Sequence, residues 1–314
     1  MGIAKEEEAF HPVRVDYLLQ IQTTIDYVED HLAEELSLSR LAQVARLSDF
    51  HFHRVFLSMA GDTVMEYVRK RRLALAAKQI ACSDERLLDI ALNNGFQNHE
   101  TFTRAFKRMF GMTPGDYRRQ DIKPPSYAKL NVLQRKFNPY LGGIRMEYRL
   151  VTKPAYKVIG YELQTSTNDG ENQRQIPAFW QEYLKNGWAH RIPNRIHKDS
   201  PVELGICYGF DMASGSFKYM IGMEAEHFEN VAEDLVCREF GAAEYAVFTT
   251  PKVTPDQFSN SIQSTWGAVF GEWFPHSGYE HAGTPEFELY DERCHPGIEL
   301  VQMDIYVPVK RKDA

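Results

Sequence analysis

The chain lacks the marks of exported, metal-holding and membrane-spanning proteins. Its 4 cysteines, Cys82, Cys207, Cys237 and Cys294, are scattered, with no close pair of the kind that holds zinc or runs redox chemistry. Reduced thiols in a cytoplasmic protein are the expectation. Cys294-His295 is the one adjacent pair of possible ligands and is read as coincidence, so no metal and no cofactor are expected. No apolar run approaches the roughly 18 residues that cross a bilayer, so no membrane partner is expected. The first ten residues, MGIAKEEEAF, have neither the basic start nor the apolar core of a secretory leader, and Glu6 stands where a lipidation signal needs Ser or Thr. There is also no G-x-S-x-G elbow, no H-E-x-x-H pair and no phosphate-cradling glycine loop.

What is present is divided between two halves. The net charge of −7 argues against nucleic acid until the chain is split. Residues 40–119 carry 14 Lys/Arg against 8 Asp/Glu, whereas residues from 121 onward carry 20 against 26. A basic module joined to an acidic one suits a DNA reader fused to a separate domain. At 314 residues the chain is long enough for two cores.

The basic half has a repeated pattern. In Arg86 to Tyr117 a short helix carrying Leu87, Leu88, Ile90 and Ala91 breaks at Asn94-Gly95-Phe96, where glycine eases a left-handed turn. The following helix has Phe102, Ala105, Phe106 and Phe110 on one face and Asn98, His99, Glu100, Thr101, Thr103, Arg104 and Lys107 on the other. That is the design of a helix-turn-helix. Some fifty residues upstream the pattern recurs. Ser37 or Ser39 caps a helix with Leu41, Ala42, Val44 and Ala45; Ser48 caps the next, with Phe52, Val55, Phe56 and Met59 inward and Asp49, Phe50, His51, His53 and Arg54 outward. Its turn, Ala45-Arg46-Leu47, has no glycine. A long helix over Thr63 to Ala81 joins the two units, and its run Arg69-Lys70-Arg71-Arg72 is expected to face phosphate.

Arg72-Leu73, Ile90-Ala91, Gly95-Phe96, Phe102, Phe106, Phe110-Gly111 and Thr113-Pro114 fall in the order and spacing of the AraC/XylS-type transcription regulators, which residues 10–120 resemble. The resemblance implies two helix-turn-helix units on successive turns of one DNA face, and contact with RNA polymerase. It points to Phe50, His53 and Arg54 in the first recognition helix and to His99, Glu100, Thr101, Thr103 and Arg104 in the second. Either arginine can grip guanine O6 and N7 or a phosphate, and the threonines can bond phosphate or touch a thymine methyl. Glu100 repels phosphate and makes sense as an acceptor from cytosine N4.

Prolines and glycines at 123–126 and 138–143 mark a linker over 121–145. Beyond it strands alternate with two helical regions, and an offset of about 85 residues relates Trp180 to Trp266, Leu204 to Phe287 and Gly222 to Tyr306. The expected architecture is two domains: an all-α double helix-turn-helix domain at 10–120, and an α+β domain at 146–311 with duplicated strand-helix-strand halves. PEFELYDE followed by ELVQMDIYVPV makes 146–311 resemble the gyrase-inhibitor-like effector-binding domain found behind AraC-type DNA readers in Rob-type regulators. In such domains an aromatic pocket carries a glutamate, and the matching residue is Glu288. A carboxylate among Trp180, Trp266, Trp273, Phe287 and Tyr290 would suit a bulky cation through cation–π attraction and opposing charge. The expectation is a cytoplasmic, non-enzymatic regulator that binds promoter DNA and a small effector. The alternatives are a hydrolase working through Glu288 and a nearby tyrosine, or a protein-binding module of the gyrase-inhibitor type.

Overall fold

The computed structural model describes residues 14–120, 127–134, 147–198, 202–211, 214–295 and 297–312. Its N-terminal half is helical: α1 (Arg14–Asp30), α2 (Leu38–Val44), α3 (Asp49–Ala60), α4 (Val64–Cys82), α5 (Leu87–Asn93), α6 (His99–Phe110) and α7 (Pro114–Arg119). Local chemistry sets most of these ends. Ser37, Ser48, Thr63, Asn98 and Thr113 each accept a backbone N–H at a helix start, and Gly61 and Gly111 close α3 and α6 in the left-handed region. Two cores result. One packs Ile21, Ile25, Val28, Leu41, Phe52, Val55 and Phe56 around the first helix-turn-helix. The other packs Leu73, Ala77, Ile90, Phe102, Phe106 and Tyr117 around the second. Helix α4 contributes to both.

The turns differ as their residues require. Gly95 (φ 74°) makes the second; Arg46 (φ 55°) takes the left-handed position of the first at some backbone cost. Of the basic run on α4, Arg71 and Arg72 are held within the domain, while Arg69 and Lys70 stay partly exposed. Arg71 is clamped on Glu29 by two contacts of 2.7 Å, Arg69 pairs with Glu66 and Lys70 with Asp62. Arg72 donates to the carbonyls of Leu32, Glu34 and Gly95, tying the second turn to the first unit. These arginines are consumed by carboxylates and helix-end carbonyls that their long stems reach within the domain.

Part of the expected linker is a strap on this domain. Val132 is buried in the first core, its N–H donates to Gln22 Oε1, and the Leu130 N–H donates to the Tyr67 hydroxyl. Tyr127 donates to Asp62 and Lys129 pairs with Asp26. The Lys-Pro-Pro-Ser and Asn-Pro-Tyr-Leu-Gly-Gly stretches lie outside the described residues.

The C-terminal half holds β1 (Arg149–Lys153), β2 (Tyr156–Ser166), α8 (Glu171–Lys185), β3 (Glu203–Asp211), β4 (Ser216–Ala225), β5 (Val236–Phe240), β6 (Ala243–Thr249), α9 (Phe258–Ala268), α10 (Phe274–Ser277), β7 (Tyr279–His281), β8 (Glu286–Tyr290) and β9 (Asp304–Arg311). A π-helical turn, Val269–Trp273, runs between α9 and α10. The described strands form an antiparallel sheet in the order β5-β2-β4-β3-β8-β9-β6-β1, with β7 on β9. On one face α8 covers Tyr161, Phe217, Tyr219 and Ile221, while the α9–α10 region covers Phe248, Ile305 and Val307. The opposite face carries Tyr156, Val158, Leu204, Ile206, Tyr245 and Phe287. Strand β7 was not anticipated, and the last strand starts at Asp304 rather than Leu300. Val301 instead makes an isolated bridge to Val253. Among the described residues no helix is long and apolar enough to cross a membrane.

Candidate functional site

The two helical layers of the sheet domain meet over the junction of β4, β3 and β8. Strand alternation points Glu286, Glu288 and Tyr290 to the helical face and Phe287 and Leu289 to the other. Glu288 is buried at 8 % exposure. Its Oε1 accepts the Trp266 indole N–H at 2.9 Å; its Oε2 accepts the hydroxyls of Tyr219 at 2.8 Å and Tyr290 at 2.9 Å. Trp180 of α8 donates to the Tyr219 oxygen at 2.8 Å, and its ring lies 4.5 Å from that of Tyr290. One carboxylate therefore gathers side chains from α8, α9, β4 and β8. Burial drives its pKa above the usual carboxylate range, against the three hydrogen bonds that favour the ionised form.

Gly205 makes this meeting possible. It lies on β3 directly opposite Glu288, and a Cβ there would stand 2.1 Å from the Tyr219 hydroxyl and 2.9 Å from Glu288 Oε2. Only a residue without a side chain leaves that space.

The structure unites Glu288, Tyr290, Trp180 and Trp266. It separates the other two aromatics expected there. Phe287 faces the opposite side of the sheet among Tyr156, Tyr245 and Tyr306, because adjacent residues of a strand point to opposite faces. Trp273 packs with Tyr148, Phe248, Phe274 and Tyr279 in the core of the second half. Tyr219 and Glu286 were missed. The alternation Glu286-x-Glu288-x-Tyr290 signalled Glu286; nothing local signalled Tyr219, which arrives from another strand.

The recognition helices have opposite fates. On α6, His99, Glu100, Thr101 and Arg104 are exposed and Thr103 is partly so, above buried Phe102 and Phe106. The Thr101 hydroxyl is engaged with the capping carboxamide of Asn98 at 2.6 Å, so it serves the helix start first. On α3 no residue from Asp49 to Ala60 is exposed, because the sheet domain covers it. Phe50, expected to face DNA, packs on Phe210 and His281 with centroids 5.0 and 4.3 Å away. His53 reaches Thr167 at 3.5 Å and Ser58 donates to the Gly267 carbonyl at 3.0 Å. Arg54, also expected on DNA, lies over the rings of Phe270 (4.4 Å) and Trp266 (5.3 Å), with Nη2 2.9 Å from Glu286 Oε1. In this arrangement Phe50, His53 and Arg54 face protein, because an aromatic–basic helix face fits an acidic aromatic surface as well as it fits a groove.

Glu286 is 1 % exposed and also lies 3.3 Å from His281 Nε2. Neither of its oxygens meets hydrogen-bond geometry, so the pairing is Coulombic. Burial opposes its ionisation, yet Arg54 and His281 hold its pKa below the ordinary range. Burial depresses the histidines of α3, His51 to about 3 and His53 to about 4.

The fold and the site define a class: an AraC-type helix-turn-helix domain carrying an effector-binding sheet domain. The chain belongs to the integron-associated effector binding protein family, Cass2, which residues 149–309 match; residues 41–120 match a helix-turn-helix domain family. Over 102 residues the chain is 45 % identical to the uncharacterized HTH-type transcriptional regulator YbfP of Bacillus subtilis, covering 32 % of this chain and 35 % of YbfP. Over 184 residues it is 38 % identical to the right origin-binding protein of Escherichia coli K12, covering 55 % of this chain and 58 % of that protein. The match thus spans less than two thirds of either relative. Among solved structures it is similar to SAV2435 bound to tetraphenylphosphonium, at 23 % identity and TM-score 0.44, over 52 % of this chain and 94 % of that one.

Proposed function

We propose that the chain is a ligand-responsive, DNA-binding transcription regulator of the cytoplasm. Residues 10–120 read promoter DNA and contact RNA polymerase; residues 146–311, reached through 121–145, bind a small aromatic cation. The observation that carries the ligand class is Glu288, a buried carboxylate held by one indole and two phenols between two tryptophans. Aromatic faces supply area and cation–π attraction, and the carboxylate supplies the opposite charge. Arg104, exposed on α6 beside His99, Glu100 and Thr103, is the base-reading candidate of the second unit. Phe50, His53 and Arg54 read the adjacent groove when the sheet domain moves off them. We further read the effector domain as two related halves. The mirrored strand order outward from the β3–β8 pair supports this, as do the matched positions of Trp180 and Trp266.

Selection of duplexes from a random pool by the full chain, followed by footprinting, tests the first part. Failure to enrich any sequence refutes it. Calorimetry with tetraphenylphosphonium and the neutral triphenylphosphine oxide tests the second; equal affinities would refute a cation site.

A further inference from the structure

Arg54 already does what an effector cation is expected to do. Its planar guanidinium lies on two aromatic faces opposite a buried carboxylate. Glu286 is two residues from Glu288 on the same face of β8, and the two acids share Trp266. That indole donates its N–H to Glu288, and its ring lies under Arg54. The Glu286 carboxylate is almost wholly buried without an aligned hydrogen bond, so what it requires is positive charge rather than this donor in this geometry. With the sheet domain packed on it, no residue of α3 is left fully exposed.

We propose that Arg54 is a built-in occupant of the effector domain's cation site, so that an aromatic cation and the first recognition helix compete for the Glu286–Trp266 surface. With the site free, the sheet domain holds α3 and the first unit cannot enter a major groove. A cation seated against Glu286 and Glu288 replaces the guanidinium, leaves no buried acid unpaired and releases Phe50, His53 and Arg54 to DNA. Coupling is reciprocal: DNA that captures Arg54 raises affinity for the cation by the same factor. The inference rests on the reading of Glu288 as part of the effector site.

Ser58 and Gly271 provide a direct test. The Ser58 Cβ lies 4.0 Å from where a Cβ on Gly271 would stand, close to the roughly 3.8 Å of a disulfide. In full-length protein carrying Cys82→Ser to remove an exposed thiol, Ser58→Cys with Gly271→Cys should crosslink without ligand. The oxidised protein should lose protection of one of two adjacent major grooves on a duplex selected from a random pool, and reductant should restore it. Saturating tetraphenylphosphonium, and separately the duplex, should slow crosslinking about tenfold. Arg54→Met, which removes the internal competitor, should tighten tetraphenylphosphonium binding about tenfold by calorimetry. A purely structural arginine would give weaker or unchanged binding. Failure to crosslink, or a crosslinking rate unaffected by calorimetrically bound tetraphenylphosphonium, overturns the inference while the effector site stands. Absence of tetraphenylphosphonium binding to both wild type and Arg54→Met overturns the site and the inference together.

Discussion

Replacing Glu288 with glutamine isolates charge from shape. The carboxylate accepts from Trp266 on one oxygen and from Tyr219 and Tyr290 on the other. A glutamine oriented to keep the tyrosines turns its NH2 towards the indole N–H, leaving two donors facing each other. The opposite orientation strands the two hydroxyls. An unsatisfied buried donor costs about 1–3 kcal/mol. Relief of a buried charge, whose cost appears as the raised pKa of Glu288, offsets part of that. The variant should therefore fold with stability within about 2 kcal/mol of wild type. Cation binding has no such offset. Losing the partner of a buried charge pair costs about 2–5 kcal/mol, which is roughly 30-fold or more in Kd. Calorimetry on tetraphenylphosphonium and triphenylphosphine oxide separates the effects, with a large loss for the first and a small one for the second. The pH dependence adds a second check. As pH falls through the raised pKa of Glu288 the carboxylate is lost, so cation affinity should drop by up to about tenfold per pH unit in wild type. It should be less pH-dependent in Glu288→Gln. Equal losses for the charged and neutral ligands would mean that Glu288 shapes the site without neutralising its occupant.

Three further outcomes follow from named contacts. Gly205→Ala puts a Cβ against the Tyr219 hydroxyl, so overpacking should lower stability by about 1–3 kcal/mol in urea titrations; an unchanged midpoint would show that β3 yields freely. Arg104→Ala should cost about 1–3 kcal/mol of discrimination in competition footprinting, and unchanged discrimination would remove it from base reading. The depressed pKa values of His51 and His53 give stability that is full above about pH 6.5, the unfolded value, and is lost as pH falls towards about 3 and about 4 respectively. The unfolding free energy from urea titrations should fall between pH 6.5 and 5, by up to about 1.4 kcal/mol per pH unit for each histidine, and His53→Gln should reduce the slope. A flat profile would mean these histidines are not held neutral by burial.

The sequence by itself determined whatever lies within a few residues along the chain. Ser37, Ser48 and Asn98 cap helices by bonding N–H groups three residues on, and Gly95 marks a turn through its own backbone freedom. The period of Phe102 and Phe106 fixed the inward face of α6, and strand alternation placed Glu286, Glu288 and Tyr290 together. The same alternation sent Phe287 to the opposite face, where composition alone had put it beside the acid. Tertiary structure decided which partner each remaining side chain met. Tyr219 reaches Glu288 only because β3 lies between their strands and has a glycine at the crossing. Arg71 and Arg72 of the basic run on α4 turned inward because Glu29 and distant carbonyls were within reach. Arg54 is the sharpest case: a guanidinium beside aromatic residues is suited both to a guanine edge and to a carboxylate on tryptophan. Its partner here lies more than 200 residues away along the chain. Local pattern fixes what a surface can recognise, and folding of the whole chain fixes what stands in front of it.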